Sequence, residues 1–531
     1  MKITMLHADC RSCVTLDSTA AEFGGRSRFM VDFMGRRVPI ILTVVTAIGL
    51  AAWALFPDTL IARNTDLDEG VYLMVARLLH RGHDVHTFFF DQFWFFPKIL
   101  ATSFKFFGDS LLVGRLTAFA FALAGVFGAA ALTYQLEAKW SAATAAILIC
   151  AASPLYIRQS RMVMADVPAT ACIVWALVFV FLFRKNRQRL WLLLSGVCAS
   201  ASLMLKPFTV GFLVTIIIVV FAQRTRHENG RLKLDPQILY DILIFAAGGI
   251  IAAAPCVDFL HPIEEYRRTV GFHFAERNWL IKRVDDRWRG LVGFTRLDVP
   301  LVVFAIPGIV VLRPLSAPLV ALLIGELLTI AILFAMPPWL HHYALILPAM
   351  IVFTVLGFNR GLAQFKAFIA ESRNRATMHS ASKFVAALFG CALVISVIDL
   401  PWLARLEHRA RWPRLIHLEP AVRYAQQTFP ADEYLITDDA LMVYLADRLI
   451  PPPAINFTFA DVLKFDPTSF ARFEQVLREN NVGGVIVTSR FNHHPRLMSW
   501  LEQNFTESVQ VGSEQNDELV ARIFSKRREA R

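Results

Sequence analysis

Charge is scarce in this sequence. Of 531 residues, 18% are Asp, Glu, Lys or Arg and 56% are hydrophobic, whereas soluble domains average about 25% charged and about 45–50% apolar. That balance excludes a soluble enzyme, a fibrous repeat and a disordered chain. Cysteine is sparse too, seven in all, which excludes a disulfide scaffold. Cys150, Cys172, Cys198, Cys256 and Cys391 lie in or beside apolar runs, where a thiol behaves as a small hydrophobe. Cys10 and Cys13 form a single CxxC, and one pair alone is weak evidence for zinc. No GxGxxG signal of a dinucleotide-binding unit is present. The first 37 residues show no apolar core followed by a small-residue cleavage site, so no cleaved signal peptide is expected.

What is abundant is apolar sequence. Mean hydropathy is +0.48, and 44 Phe and 11 Trp suit packed membrane helices with interfacial anchors. The composition is that of an integral membrane protein. The net charge of +11, from 54 basic and 43 acidic residues, would favour nucleic acid in a soluble chain. Here much of it sits in short loops between apolar runs, where it sets orientation, so membrane lipids and not nucleic acid are the expected partners.

A crossing helix needs about 20 mostly apolar residues. Such runs fall near Val38–Phe56, Leu111–Thr133, Ala142–Ile157, Val167–Phe183, Leu190–Leu205, Phe208–Phe221, Ile238–Val257, Val299–Leu312, Leu319–Met336, Tyr343–Phe358 and Phe384–Leu400. The expected architecture is an α-helical polytopic membrane protein of about eleven spans. Basic clusters at Arg36-Arg37, Arg184–Arg189, Arg224–Lys233 and Arg360–Lys383 share one face if the N-terminus is cytoplasmic. An odd span count then sends the C-terminus outward, to the periplasm of a bacterial inner membrane. The expected organisation is a cytoplasmic tail over 1–37, a transmembrane domain over 38–400 with outer loops 57–110 and 261–296, and an outer α/β domain over 401–531. In that last part Tyr434–Thr437 and Val482–Thr488 read as buried strands, and Phe470–Asn480 and Pro495–Phe505 as amphipathic helices. The second outer loop carries seven basic against five acidic residues between Glu264 and Arg289. Either these pair with each other on a surface helix, or some face an anionic ligand.

Candidate chemistry gathers at the outer ends of the spans. Asn64–Tyr72 holds Asp66, Asp68 and Glu69 just before a helical repeat of Tyr72, Val75, Ala76 and Leu79. These acids either cap that helix, or one of them serves as a general base at the membrane–water boundary. Asp166, just before Val167-Pro168, offers the same choice between helix capping and chemistry, with Arg161 nearby. Lys206, in a tight Lys206-Pro207 turn, either snorkels to the headgroups or holds a lipid phosphate. His341-His342-Tyr343 reads better as part of an aromatic belt than as a metal site, because nothing supplies a third ligand at fixed spacing.

Asp68-Glu69-Gly70-Val71-Tyr72, Leu78-Leu79, Pro97, Phe107-Gly108-Asp109-Ser110 and Arg115 resemble the first outer loop of the GT-C membrane glycosyltransferases. Within that superfamily the likeness is to protein O-mannosyltransferases, the lipid A aminoarabinose transferase and lipopolysaccharide galacturonosyltransferases. Arg161 with Asp166, Lys206-Pro207, and His342-Tyr343 leading to Pro348 resemble later signatures of the group. Phe96-Pro97-Lys98 stands where the group often has a double proline.

The resemblance implies inverting transfer of a sugar from a polyprenyl-phosphate donor to a glycolipid, glycan or protein acceptor. It implies Asp68 as base or acceptor-orienting group, with Glu69 and Asp166 positioning acceptor or ion. It also implies phosphate binding by Lys206 with Arg161 and an Arg of the second outer loop, Arg267 or Arg268, and a pocket that includes Tyr72, His342 and Tyr343. Some members use a divalent metal ion, and the sequence leaves that cofactor open. The alternative class is a polytopic transporter or flippase of lipid-linked sugars, which would place ionisable groups at mid-span. A non-catalytic assembly protein would use the same acids only as caps.

Overall fold

The computed structural model describes residues 43–53, 56, 67–88, 90, 92–228, 231–257, 263, 267–271, 284–312, 315–335, 339–371, 415–458, 467–492, 495–512 and 520–525. The chain divides into two units, Met1–Gly49 and Leu50–Arg531. Of the first, only the opening residues of helix α1 (Thr43–Trp53) are described. The tail with Cys10 and Cys13, the acid Asp66, the run Phe384–Leu400 and the boundary expected at residue 401 lie outside the described residues.

The second unit begins with α2 (Leu67–His80), α3 (Phe95–Phe107) and α4 (Leu111–Glu137). Ser110 starts α4 in extended backbone, its hydroxyl accepting from the Val113 amide at 3.2 Å, a side-chain cap of the usual kind. Helices α5 (Trp140–Ala152) and α6 (Pro154–Ser160) meet at a bend of 71°. The reason is local: Pro154 has no amide to continue α5, and Ser153 caps α6 by accepting from Tyr156 N. The expected single run Ala142–Ile157 is therefore two helices.

Then come α7 (Asp166–Asn186), α8 (Arg189–Leu205) and α9 (Val210–Arg224). A two-stranded hairpin, β1 (Thr225–Glu228) with β2 (Arg231–Leu234), leads into α10 (Gln237–Ala253). Helices α11 (Val284–Leu297), α12 (Val299–Val311), α13 (Ala317–Ala335) and α14 (Leu347–Glu371) follow. Each of the first ten expected runs overlaps helix in its described residues, the third split over α5 and α6 and the tenth starting four residues before α14. Among the described residues, five helices have the length and composition to cross a membrane, six if the α5–α6 pair counts as one. Arg189–Leu205 and Gln237–Ala253 are apolar but shorter.

Lipid-tail solvent offers helices no hydrophobic gain on packing together, so close backbone approach matters more. At the α8–α10 contact, a Cβ on Gly196 would sit 2.0 Å from the Phe245 carbonyl oxygen, and one on Gly248 2.2 Å from that of Leu193. Ile217, Leu239, Ile250, Ile251 and Leu327 point outward and stay exposed, as a lipid-facing surface requires.

The C-terminal part has α15 (Leu415–Thr428), β3 (Tyr434–Thr437), α16 (Ala440–Leu445), α17 (Pro467–Glu479), β4 (Val482–Val487), α18 (Ser489–Asn492), α19 (Pro495–Asn504), β5 (Glu507–Val511) and β6 (Ala521–Ser525). The sheet order is β3-β4-β6-β5, with β3 parallel to β4 and the other pairs antiparallel. Buried Asp438 joins the ends of β3 and β4 by accepting from the amides of Thr488 (2.9 Å) and Phe491 (2.8 Å).

Candidate active site

Helix direction brings two distant residues together. Helix α7 runs about 31 Å at 1.5 Å per residue, from Asp166 at one end to the basic turn Arg184–Arg189 at the other. Helix α8 returns, so Lys206 ends beside Asp166: Lys206 Nζ lies 3.8 Å from Asp166 Oδ2, and both side chains are buried. The far end is tied separately, Arg224 Nε donating to Asp241 Oδ2 at 2.6 Å.

Asp166 does not cap its helix. Among the described residues neither of its carboxylate oxygens has a hydrogen-bond partner, and the residue is 0% exposed. An ionised carboxylate buried on those terms is expensive unless a cation compensates it. Lys206, at 5% exposure, is that cation, which removes it from the headgroup position that snorkelling requires.

A third element closes on the pair. The 3₁₀ turn Leu340–Ile346 is held to α7 by the Thr170 hydroxyl, which donates to the Ala344 carbonyl at 3.1 Å. Phe208, two residues past Lys206, packs its ring 4.8 Å from that of His342. One ligand atom from each of Asp166, His341 and His342 lies within 4.8 Å of the other two. Tyr343 stacks on Phe294 of α11 at 5.1 Å, with its hydroxyl buried and, among the described residues, without a hydrogen bond. Burial of His342 and Tyr343 corrects the aromatic-belt expectation for them; Trp339, 51% exposed, is the residue of that stretch placed as a belt anchor would be.

The first acidic cluster separates into two roles. Glu69 is fully buried and accepts from Arg115 Nε at 2.8 Å and from a terminal guanidinium nitrogen of Arg115 at 2.9 Å. Its Oε1 also accepts from the Val163 amide at 3.0 Å. Glu69 therefore fastens the first turn of α2 to α4 and to the turn three residues before Asp166. Asp68, next to it, remains partly exposed in that same first turn, where the positive helix end favours a carboxylate. Tyr72 is buried one turn on, its hydroxyl donating to Gln92 and its ring edge-on to Phe90 and Phe96. Arg161 lies at the end of α6. Arg267 is exposed on the π-helical turn Arg267–Gly271, and the side chain of Arg268 lies outside the described residues.

The C-terminal part reaches this end as well. A Cβ on Gly70 would lie 2.2 Å from the Leu441 amide nitrogen, so α2 meets α16 backbone to backbone. Arg77 secures the contact: it pairs with Asp109 at 2.5 Å, donates to the Tyr444 carbonyl at 2.8 Å and lies 3.7 Å over the Tyr444 ring. The Tyr444 hydroxyl donates to Asp109 at 2.7 Å.

Glu326 and Asp298 are among the buried acids that were not anticipated from sequence. Glu326 sits in the middle of α13, its oxygens without hydrogen bonds among the described residues. Asp298, between α11 and α12, accepts from Ser153 and Leu155, and burial pushes its carboxyl up to about 7. Since the folded protein then holds a proton that the unfolded chain releases near pH 4, burial of Asp298 opposes folding increasingly between pH 4 and 7. The expected result for Asp298→Asn is a gain in thermal stability in detergent, relative to its value at pH 4, that grows up to pH 7 and then levels. A pH-independent difference would contradict the assignment.

Comparison with known proteins bears on the fold. The family model described as dolichyl-phosphate-mannose-protein mannosyltransferase matches residues 94–247, a stretch that includes Arg115, Asp166 and Lys206. No curated protein matches the chain by sequence. Among solved structures, ArnT from Cupriavidus metallidurans bound to undecaprenyl phosphate matches with a TM-score of 0.59 at 13% identity, over 93% of this chain and 99% of that one. The apo state of ArnT matches at 0.57. The archaeal oligosaccharyltransferase AglB from Archaeoglobus fulgidus, in complex with an inhibitory peptide and a dolichol-phosphate, matches at 0.51 with 14% identity, over 86% of this chain and 70% of that one.

Proposed function

We propose that this chain, which has the fold of the GT-C glycosyltransferases ArnT and AglB, is an inverting glycosyltransferase that takes its sugar from a polyprenyl-phosphate donor. The observation that carries the proposal is the buried Asp166–Lys206 pair at one end of the helices, fastened through Val163 and Glu69 to the helix turn that presents Asp68. A lipid-linked phosphate lies at headgroup depth, so a site at helix ends is where it would be met. Lys206 would neutralise the charge that develops on the departing phosphate. Asp68 would take the proton of an acceptor hydroxyl, or orient an acceptor that is already an anion. Arg161 and an Arg of residues 267–268 would complete the phosphate contacts, and Tyr343, with its unbonded hydroxyl, would line the pocket with His342 and Tyr72. Glu69 would act by holding α2 in place.

The acceptor would be an envelope glycan, lipid or protein, and the site would face outward from a bacterial inner membrane, with the N-terminus in the cytoplasm. The match of this chain to ArnT bound to undecaprenyl phosphate and to AglB with a dolichol-phosphate supports a polyprenyl-phosphate donor. The purified protein, given a polyprenyl-phosphate sugar, is expected to release polyprenyl phosphate. Lys206→Ala should raise the KM for that donor roughly tenfold or more, the loss of one charge-assisted contact of about 1.5–3 kcal/mol. An unaltered donor KM would return Lys206 to a structural partner of Asp166.

Glu326 favours a second reading. An ionisable residue buried at mid-span is a functional candidate by default in a transporter. Retained sugar transfer in Glu326→Gln, with no defect in moving lipid-linked sugar across vesicles, would dismiss that reading.

A further inference from the structure

We propose that Asp166, His341 and His342 form a binding site for one divalent transition-metal ion. The three donors come from two segments 175 residues apart in sequence, and the Thr170–Ala344 hydrogen bond and the Phe208–His342 contact fix those segments against each other. Their ligand atoms all lie within 4.8 Å of one another. Around zinc at about 2.1 Å, tetrahedral ligands are roughly 3.5 Å apart, so closing the site needs side-chain shifts of about an ångström. The second observation is independent of that spacing: among the described residues both oxygens of the fully buried Asp166 carboxylate lack hydrogen-bond donors, which buried carboxylates seldom do.

The donor set identifies the class of ion. Two imidazoles and one carboxylate suit Zn²⁺, Co²⁺ or Fe²⁺, whereas Mg²⁺ and Ca²⁺ prefer all-oxygen shells. Three protein ligands leave coordination positions open, as in catalytic rather than structural sites. Those positions would take an anionic substrate oxygen, a role that rests on the transferase reading. Binding itself is measured without turnover, so either idea can fail while the other stands. Lys206 sets the affinity: its ammonium, 3.8 Å from Asp166, competes with the ion for the same carboxylate.

The test uses the full-length protein in detergent micelles, with any affinity tag removed and Cys10→Ser and Cys13→Ser introduced to eliminate the tail thiolates. After chelator treatment it is titrated with Co²⁺, followed by visible absorption and by metal content after desalting. One equivalent is expected, with d–d bands of nitrogen and oxygen ligation and no displacement by a large excess of Mg²⁺. Asp166→Asn, His341→Ala and His342→Gln should each weaken binding at least as much as the roughly 10–100-fold loss typical of second-sphere changes. Lys206→Met should tighten it. Failure of the Cys10→Ser/Cys13→Ser protein to take up Co²⁺ would overturn the proposal whether or not the further variants fold. So would an intense thiolate band, displacement by Mg²⁺, or binding indifferent to His341→Ala.

Discussion

Arg115→Met is expected to destabilise the protein by about 3–5 kcal/mol, the usual result of removing one partner from a buried ion pair. Arg115 and Glu69 are both 0% exposed and joined by two hydrogen bonds. Without the guanidinium, Glu69 keeps one amide donor, from Val163, inside a helical, apolar surrounding. The thermal transition in detergent and the yield of folded protein should both fall sharply. The double variant Glu69→Gln/Arg115→Met should recover a large part of the loss, because the neutral amide leaves no uncompensated charge. If the double variant is no better than Arg115→Met alone, the ion pair is not what holds α2 to α4.

The second large effect is chemical. Asp68→Asn should fold and insert normally, since the amide keeps the size of the side chain and one accepting oxygen at a partly exposed position, and the lost charge at a first helical turn is worth about 0.3–1 kcal/mol through the helix dipole. Sugar transfer, in contrast, should drop by the roughly 10²–10⁴-fold that a general base supplies. Size-exclusion behaviour and transfer rate, measured on the same preparation, separate the two consequences. Wild-type transfer by Asp68→Asn would remove Asp68 from the chemistry and leave it a helix-end charge.

Most of the helical layout was legible because run length and hydropathy are local properties: Leu111–Thr133 and Val167–Phe183 read as spans from their own residues. Pro154 carried the signal of the α5–α6 bend, but continuous apolarity on both sides hid it. The strands Tyr434–Thr437 and Val482–Val487 were readable as short buried apolar runs. Strand β5 was not, since its residues are mostly exposed and alternate weakly.

Pairings across the fold were the illegible part. Arg115, a full charge near the start of an apolar run, signalled that a buried partner must exist, without naming Glu69. His341-His342 showed two potential donors, and the carboxylate that comes within 4.8 Å of both, Asp166, lies 175 residues upstream, where spacing rules have no reach. Whether an acid caps a helix is likewise a tertiary fact: Asp166 sits in a capping context, yet its oxygens take no amide among the described residues.

Mass spectrometry of envelope lipids, glycans and glycoproteins decides whether Asp68 and Asp166 serve one sugar-transfer site. Cells carrying the wild-type protein are compared with cells carrying Asp68→Asn, Asp166→Asn or no copy, at matched membrane levels. An increment of one sugar residue on some acceptor is expected in the wild type alone, absent from both variants and from the null. Identical masses in wild-type and null cells, or full restoration of the increment by either variant, would contradict it.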